Sequence, residues 1–492
     1  MKKAQSSFRL IFLSFSLTSA AFLAWVYHLM KIIENPARVD LYTMVGGYLC
    51  QAAGIGLFMY FDRCSHRSSK KNSWFYKSGR TVFTAVTFVF FLCSIPAVLS
   101  RFAIATLIFG YVMNIAIGVI AGFYLYDLSA RVNPSMRGIV FGGSYGLSAI
   151  AVWLLSMLGS RNILQSPYCL LLLMVMAGAL VYTFPAEGQA PRTAAFTGHT
   201  AAGSGIKSTK PDRSLLLLAV ITVCLFSMEK NLGFSFPTSD LIAGVNLEFS
   251  RTIYAMGLIT AGLISDRSRK YGAVCAFAAL ITPFILLSLY AQTISSTIFW
   301  SLDYFFYGFF SVYRVLLLSD LASGKSFFEQ SSDTGIYGFS GNPDSLSKML
   351  WLAPLGLLAG RIGDALGTLY SIGIGGRMPM LVIITSVFFA FSVFAFFKLY
   401  PRLYVPVIIR EQKKRQRTAE EQFEDFSRQY QLTVRERSVL RLALQEKTNS
   451  EIAQDLFISE STVKFHIHNL LQKTGCANRI DLYARYRNAQ TG

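Results

Sequence analysis

Twelve long apolar runs, separated by polar breaks, take up most of this chain. They lie at about residues 10–30, 40–61, 81–100, 102–126, 138–158, 166–184, 214–235, 250–265, 271–293, 296–319, 348–371 and 378–400, each near the roughly twenty residues a helix needs to cross a bilayer. The eighth run is short, which leaves its ends open. The first, Leu10 to Met30, follows Lys2, Lys3 and Arg9. It is too long for the core of a signal peptide and has no small-residue cleavage site before Lys31, so it reads as a spanning helix. Pro185 to Arg213, polar and rich in Gly, Ala and Thr, reads as a flexible linker. The expected layout is a six-helix half at 1–184, a linker at 185–213 and a second six-helix half at 214–400.

Beyond the last run the pattern changes. Lys413, Lys414, Arg415 and Arg417 form a basic patch suited to anionic headgroups. Ala419 to Tyr430 then carries Phe423, Phe426 and Tyr430 at helical spacing among acids. Two readings of this 401–431 segment stay open: a plain amphipathic linker, or a helix that joins or pairs the domains that follow.

From Leu432 to Arg487 the apolar positions mark four short helices. Thr433 with Glu436 is a capping box that starts the first, and Val439, Leu440, Ala443 and Leu444 share its buried face. Glu446 to Asn449 breaks the run. A second helix, Ser450 to Leu456, offers Ile452, Ala453 and Leu456 to the same core, the small Ala453 letting two helices cross steeply. After Phe457-Ile458-Ser459, Ser459 caps a third helix, Glu460 to Thr474, with Glu460 at its positive end. Val463, Ile467, Leu470 and Leu471 point inward; Ser461, Thr462, Lys464, Phe465, His468 and Lys473 are left outside. Gly475 ends it, and a fourth helix runs from Arg479 to about Arg487. Helix, short turn and helix with a polar outer face is the geometry that lays a recognition helix in a DNA major groove.

Composition agrees with a largely membrane-embedded chain: 53% hydrophobic residues and a mean hydropathy of +0.44 over 492 residues. The net charge of +19 suggests nucleic acid until it is mapped, because most of it sits in loops between apolar runs. Arg63, Arg67, Lys70, Lys71, Lys77, Arg80, Arg131, Arg137, Arg192, Lys207, Lys210, Arg213, Arg267, Arg269 and Lys270 fall on one side. Lys31, Arg38, Arg101, Arg161, Lys230, Arg251 and Arg377 are scattered on the other. Positive-inside then puts both termini in the cytoplasm, where DNA is. The last segment, 432–492, has nine basic against six acidic side chains, modest for a DNA binder. The seven cysteines, Cys50, Cys64, Cys93, Cys169, Cys224, Cys275 and Cys476, contain no C-x-x-C and give no disulfide framework or zinc site. There is no phosphate-cradling Gly loop, metal set or nucleophile elbow, so no enzyme activity, cofactor or metal is expected.

The C-terminal segment closely resembles the LuxR/NarL-type helix-turn-helix, on Leu432-Thr433, Arg435-Glu436, Glu451-Ile452-Ala453, Ile458-Ser459, Ser461-Thr462-Val463-Lys464, His466, Leu471, Gly475 and Asn478-Arg479. The resemblance implies that Lys464, Phe465 and His468 meet base edges, that Thr462 and Lys473 lie near phosphates, and that the domain dimerises on double-stranded promoter DNA. Phe465 and His468 depart from the smaller or basic residues common there, so no operator sequence follows. RNA polymerase is a further partner if the domain activates.

The membrane region resembles the major facilitator superfamily. Gly262-Leu-Ile-Ser-Asp266-Arg267 with Arg269 and Lys270 matches that family's cytoplasmic signature, and Asp62-Arg63 with Arg67, Lys70 and Lys71 echoes it in the first half. The first copy has Phe58 where the signature has Gly. The resemblance implies two six-helix halves rocking about a central cavity. Gly118/Gly122, Gly142/Gly146, Gly356/Gly360 and Gly363/Gly367 are spaced for close helix packing within the chain.

Ionisable residues at depth point to a ligand. Arg361 and Asp364, three apart in the eleventh run, can pair on one face. Asp303 and Arg314 lie in the tenth amid Tyr304, Phe305, Phe306, Tyr307 and Tyr313, a lining for a planar or apolar small molecule. Glu229 lies toward the outer end of the seventh.

The expectation is an all-α chain: a polytopic bundle of twelve transmembrane helices, six and six, followed by a four-helix DNA-binding domain. Its lipid partner would be the bacterial cytoplasmic membrane. Its role would be that of a one-component transcription regulator whose transporter-like region senses an unidentified small molecule. A working transporter with a regulatory tail is the alternative, and the degraded first signature favours the sensor.

Overall fold

A helix stands at each of the twelve apolar runs. The computed structural model describes residues 2–68, 74–157, 168–184, 213–238, 247–282, 293–322, 350–374, 378–404, 420 and 422–488, and among them there is no strand. The chain divides into two units, Met1–Tyr404 and Val405–Gly492. The linker over 185–212, the basic patch Lys413, Lys414, Arg415 and Arg417, and the loop residues Lys70, Lys71, Arg161, Arg192, Lys207, Lys210 and Arg377 lie outside the described residues.

In the first unit, α1 (Lys2–Ile32) leads to α2 (Pro36–Asp40), a π-helical stretch Leu41–Gly47 and α3 (Tyr48–Ser68). α4 (Trp74–Leu99), α5 (Ala103–Arg131), α6 (Arg137–Met157) and α7 (Tyr168–Thr183) complete the first half. The second holds α8 (Arg213–Thr238), α9 (Leu247–Arg267), α10 (Arg269–Ala278), α11 (Thr293–Ala322), α12 (Leu355–Ile374) and α13 (Met378–Tyr404). Seven helices among the described residues are by themselves long and apolar enough to span a membrane. The others run into undescribed residues or carry charges, as α12 does with Arg361 and Asp364. The eighth run, read at 250–265, belongs to a helix of 21 residues, because α9 continues into its polar flanks.

The same pairings recur in both halves: α3 on α5 and α1 on α6 in the first, α9 on α11 and α8 on α12 in the second. The halves meet along two seams, α6 against α9, and α3 with the π-helical stretch against α12. Glycine makes these approaches possible. A Cβ on Gly118 would strike the carbonyl of Gln51 in α3, and one on Gly142 the carbonyl of Leu258 in α9. Large apolar side chains such as Phe102 and Ile104 face outward, as a lipid-solvated bundle requires.

The described residues of the second unit form five helices: α14 (422–429), α15 (Val434–Ala443), α16 (Asn449–Leu456), α17 (Glu460–Thr474) and α18 (Arg479–Asn488). Val439, Leu440, Ala443, Ile452, Val463, Leu470 and Leu482 form its core. α14 closes that core with Phe423 and Phe426, the latter 5.2 Å from the Tyr486 ring centroid. The amphipathic segment therefore belongs to the domain, which starts about ten residues before the expected 432. α16 begins at Asn449, one residue early. Thr448 is its N-cap, in a second capping box in which Thr448 N–H donates to Glu451 Oε2 at 2.7 Å.

Candidate functional site

The face presented by α17 is built at its first turn. Ser459 Oγ accepts the Thr462 N–H at 3.1 Å, and Gly475, with φ of +65°, ends the helix in the left-handed region. Between these caps Ser461, Lys464, Phe465 and His468 are exposed, with the Phe465 ring 61% open to solvent. Lys464 Nζ is 3.3 Å from Glu460 Oε1, an exposed pair that water screens strongly. Thr462 is half-buried, its hydroxyl 2.7 Å from Ser459 Oγ. From the opposite side, α18 fixes the connection before α16: Arg479 Nη2 donates to Lys447 O at 2.9 Å, and the Tyr483 hydroxyl to Ala443 O at 2.6 Å.

Lys473, which the resemblance sets near phosphate, is exposed and already carries an ion pair. Its ammonium donates to Glu436 Oε2 at 2.7 Å and to Gln431 O at 3.1 Å, clasping the end of α17 to the start of α15. Burial pushes the Glu436 carboxyl up, but hydrogen bonds from Lys473 and Thr433 outweigh it and hold the group below its usual value. Periodicity left Lys473 outside but could not show which acid the fold brings beside it. Phe457, in the connection after α16, has a conformation that periodicity does not report. It caps α16 at φ of 54°, a left-handed position favouring Gly, and is 95% exposed.

In the membrane unit a cavity of about 360 Å³ lies between the halves. Six tyrosines line it, Tyr48, Tyr124, Tyr145, Tyr254, Tyr304 and Tyr307, together with Arg314 and Arg361. Arg314 Nη1 is 3.2 Å and Arg361 Nη1 3.5 Å from the same oxygen of Asp364. The Arg361 guanidinium also sits over the Tyr48 ring, 4.6 Å from its centroid. Three of the four expected ligand residues thus come together.

Asp303 does not join them. It is wholly buried, absent from the cavity wall, and committed to Lys230 Nζ at 2.7 Å and to the Thr282 hydroxyl. Lys230 is no outer-loop charge: α8 continues to Thr238, so Lys230 falls inside the helix and has no exposed surface. Of the aromatics expected on the tenth run, Tyr304 and Tyr307 reach the cavity; Phe305, Phe306 and Tyr313 pack elsewhere.

A third cluster ties the α6–α9 seam. Asp266 accepts the N–H groups of Gly138 and Ile139, each at 2.7 Å, at the start of α6. Arg137 reaches Asp320 at 2.6 Å and Arg269 reaches the other oxygen at 2.7 Å, with Asp266 3.0 Å from Arg269. Arg137 and Arg269, counted from sequence among the loop charges, are neutralised here. Among the described residues no group of His, Cys, Asp and Glu is placed to hold a metal.

Residues 430–485 match the family model for bacterial regulatory proteins of the luxR family. The spore germination protein GerE of Bacillus subtilis is 51% identical over 55 residues, 11% of this chain and 74% of that protein. A nitrate/nitrite response regulator protein homolog of Haemophilus influenzae is 51% identical over 49 residues, which is 10% of this chain and 24% of that protein. The membrane unit has the fold of major facilitator transporters. The human organic anion transporter MFSD10 superposes with a TM-score of 0.52 at 15% identity, covering 80% of this chain and 99% of that one. The proton:xylose symporter XylE superposes at 0.51 and 13% identity, covering 82% and 95%.

Proposed function

The chain belongs, through its C-terminal domain, to the luxR family of bacterial regulatory proteins, and on that premise we propose that it is a membrane-bound one-component transcription regulator. The observation that carries the reading is the outer face of α17, where Ser461, Lys464, Phe465 and His468 are exposed on a capped, core-anchored helix. Lys464, Phe465 and His468 meet base edges; Ser461 and Thr462, at the helix start, approach the backbone. One such helix offers little surface, so the domain works as a dimer on promoter DNA.

The facilitator-fold unit on the same chain supplies the signal. Its ligand occupies the tyrosine-lined cavity between the halves and binds two arrangements of them with different affinity, since equal affinity shifts nothing. Loop charge supports a bacterial cytoplasmic membrane with both termini inside.

The test is genome-wide DNA occupancy and transcript change with the full chain in its membrane, wild type against a Lys464→Ala, His468→Ala double variant. Discrete promoters occupied by the wild type and lost in the variant are expected. Occupancy unchanged by the double variant would overturn the assignment of the face, and none under any condition would turn attention to uptake by the membrane unit.

A further inference from the structure

We propose that the ligand of the central cavity is a small aromatic carboxylate, gripped by Arg361 and Arg314 and enclosed by the tyrosine wall. The inference rests on the cavity being the sensing site.

The electrostatics of the cavity ask for an anion. Arg314 and Arg361 share one oxygen of Asp364, so the cluster carries an excess positive charge inside a membrane-embedded protein. Its pairs are also loose. Two other buried pairs of this unit close to 2.6 Å (Arg137–Asp320) and 2.7 Å (Lys230–Asp303), and Arg269–Asp266 stands at 3.0 Å, whereas these stand at 3.2 and 3.5 Å. A charge-assisted hydrogen bond is ordinarily about 2.7–2.9 Å. The Nε–H groups of both Arg314 and Arg361 are buried without a hydrogen-bond acceptor among the described residues. Two planar guanidinium forks on the cavity wall, Arg361 the more open of the two, match the paired oxygens of a carboxylate.

The rest of the wall selects what the carboxylate is attached to. Tyr48 already lies flat beneath Arg361, and Tyr145, Tyr254 and Tyr307 continue the aromatic surface. Flat rings stack or meet edge to face on such a wall. A space of 360 Å³ accepts one or two rings.

The experiment is thermal unfolding of the purified full-length protein in detergent with benzoate and 2-naphthoate, against benzamide, benzylamine and acetate. The two aromatic acids should raise the melting temperature in a concentration-dependent way, and the amide, the amine and acetate should not. Arg361→Gln leaves one arginine facing one aspartate, a balanced pair, so its unliganded melting should stay near wild type. Its benzoate response should weaken by at least about tenfold, the loss expected of a charge-assisted bond, with Arg361→Lys between the two. If Arg361→Gln does not fold, the acid-against-amide preference of wild type and Arg361→Lys still decides the matter. Equal response to benzoate and benzamide, preference for benzylamine, acetate as effective as benzoate, or no response to either aromatic acid overturns the proposal. A promoter reporter run beside it separates the two inferences. Benzoate binding without transcript change counts against the regulator and keeps the ligand class; transcript change driven by the amine or amide does the reverse.

Discussion

Lys473 Nζ lies 2.7 Å from Glu436 Oε2, and through that pair the last turn of the recognition helix is tied to the first turn of α15. The same carboxylate takes the Thr433 N–H at 2.8 Å, so one buried acid serves as cap and as clasp. Glu436→Gln should destabilise the C-terminal domain by about 2 kcal/mol, the range for hydrogen bonds to a charged group. Lys473→Ala, whose ammonium is a third exposed, should lose about 1 kcal/mol or less. Because the folded carboxyl is held below the usual glutamate value of 4.5, its stabilisation is fully present above that pH and is lost as pH falls below it. Melting of the C-terminal domain should therefore fall more steeply under acid in wild type than in Glu436→Gln. Equal acid slopes would remove Glu436 from the account. Lys473→Ala should also leave promoter occupancy near wild type, unlike Lys464→Ala.

Phe457 holds a left-handed backbone with its ring in solvent, a conformation that costs a residue bearing a Cβ about 1–2 kcal/mol. Glycine avoids that strain and gives back part of the gain as unfolded-chain entropy. Phe457→Gly should raise the stability of the C-terminal domain by about 0.5–1 kcal/mol, read as a shift in its chemical denaturation midpoint. If stability falls instead, the exposed ring has a packing role in the full protein. If stability rises while promoter occupancy drops, Phe457 is kept for contact with DNA.

What the sequence made legible follows the range of the interactions involved. Thr433 to Glu436 and Ser459 to Thr462 are contacts three residues apart, and the helices they start were read at their observed first residues. The apolar runs and the arginine–aspartate spacing at Arg361 and Asp364 were local too. Lys230 with Asp303, Arg137 with Asp320 and Lys473 with Glu436 span 73, 183 and 37 residues. No periodicity reports such pairings. Each of these lysines and arginines looked like a free surface charge, because a basic residue near a helix end reads alike whether it meets water or an acid from a distant helix.

The Lys230–Asp303 pair has no exposed surface, so each half of it makes the other tolerable. Asp303 also takes the Thr282 hydroxyl. Lys230→Met alone leaves a buried carboxylate and Asp303→Leu alone a buried ammonium; each should cost about 3–5 kcal/mol. The double variant should recover most of that loss, since apolar side chains of similar volume replace a buried pair at little net cost. Thermal unfolding of the four proteins in detergent closes the cycle. A double variant no better than the singles would mean that water or a mobile group reaches the pair.

The repeated membrane signature is asymmetric for a packing reason. In the second half Gly262 lies against Gly138, and a Cβ on either would strike the other's carbonyl. That approach lets Asp266 reach the N–H groups of Gly138 and Ile139 at the positive end of α6. In the first half Phe58 stands at the glycine's place, 2% exposed, with its ring over Gly122 and in edge contact with Phe123, centroids 5.1 Å apart. The first copy is thus a filled core position. Phe58→Gly, which restores the signature by letter, should destabilise the membrane unit by about 3–5 kcal/mol through the cavity it opens. Asp266→Asn keeps the volume but loses the charge facing two N–H groups and Arg269, and should cost about 1–3 kcal/mol. Detergent unfolding of the full chain measures both. If Phe58→Gly is neutral or stabilising, Phe58 is a tolerated substitution; a large loss confirms that the two copies of the signature serve different packing, a glycine contact between the halves at Gly262 and a packed ring within the first half at Phe58.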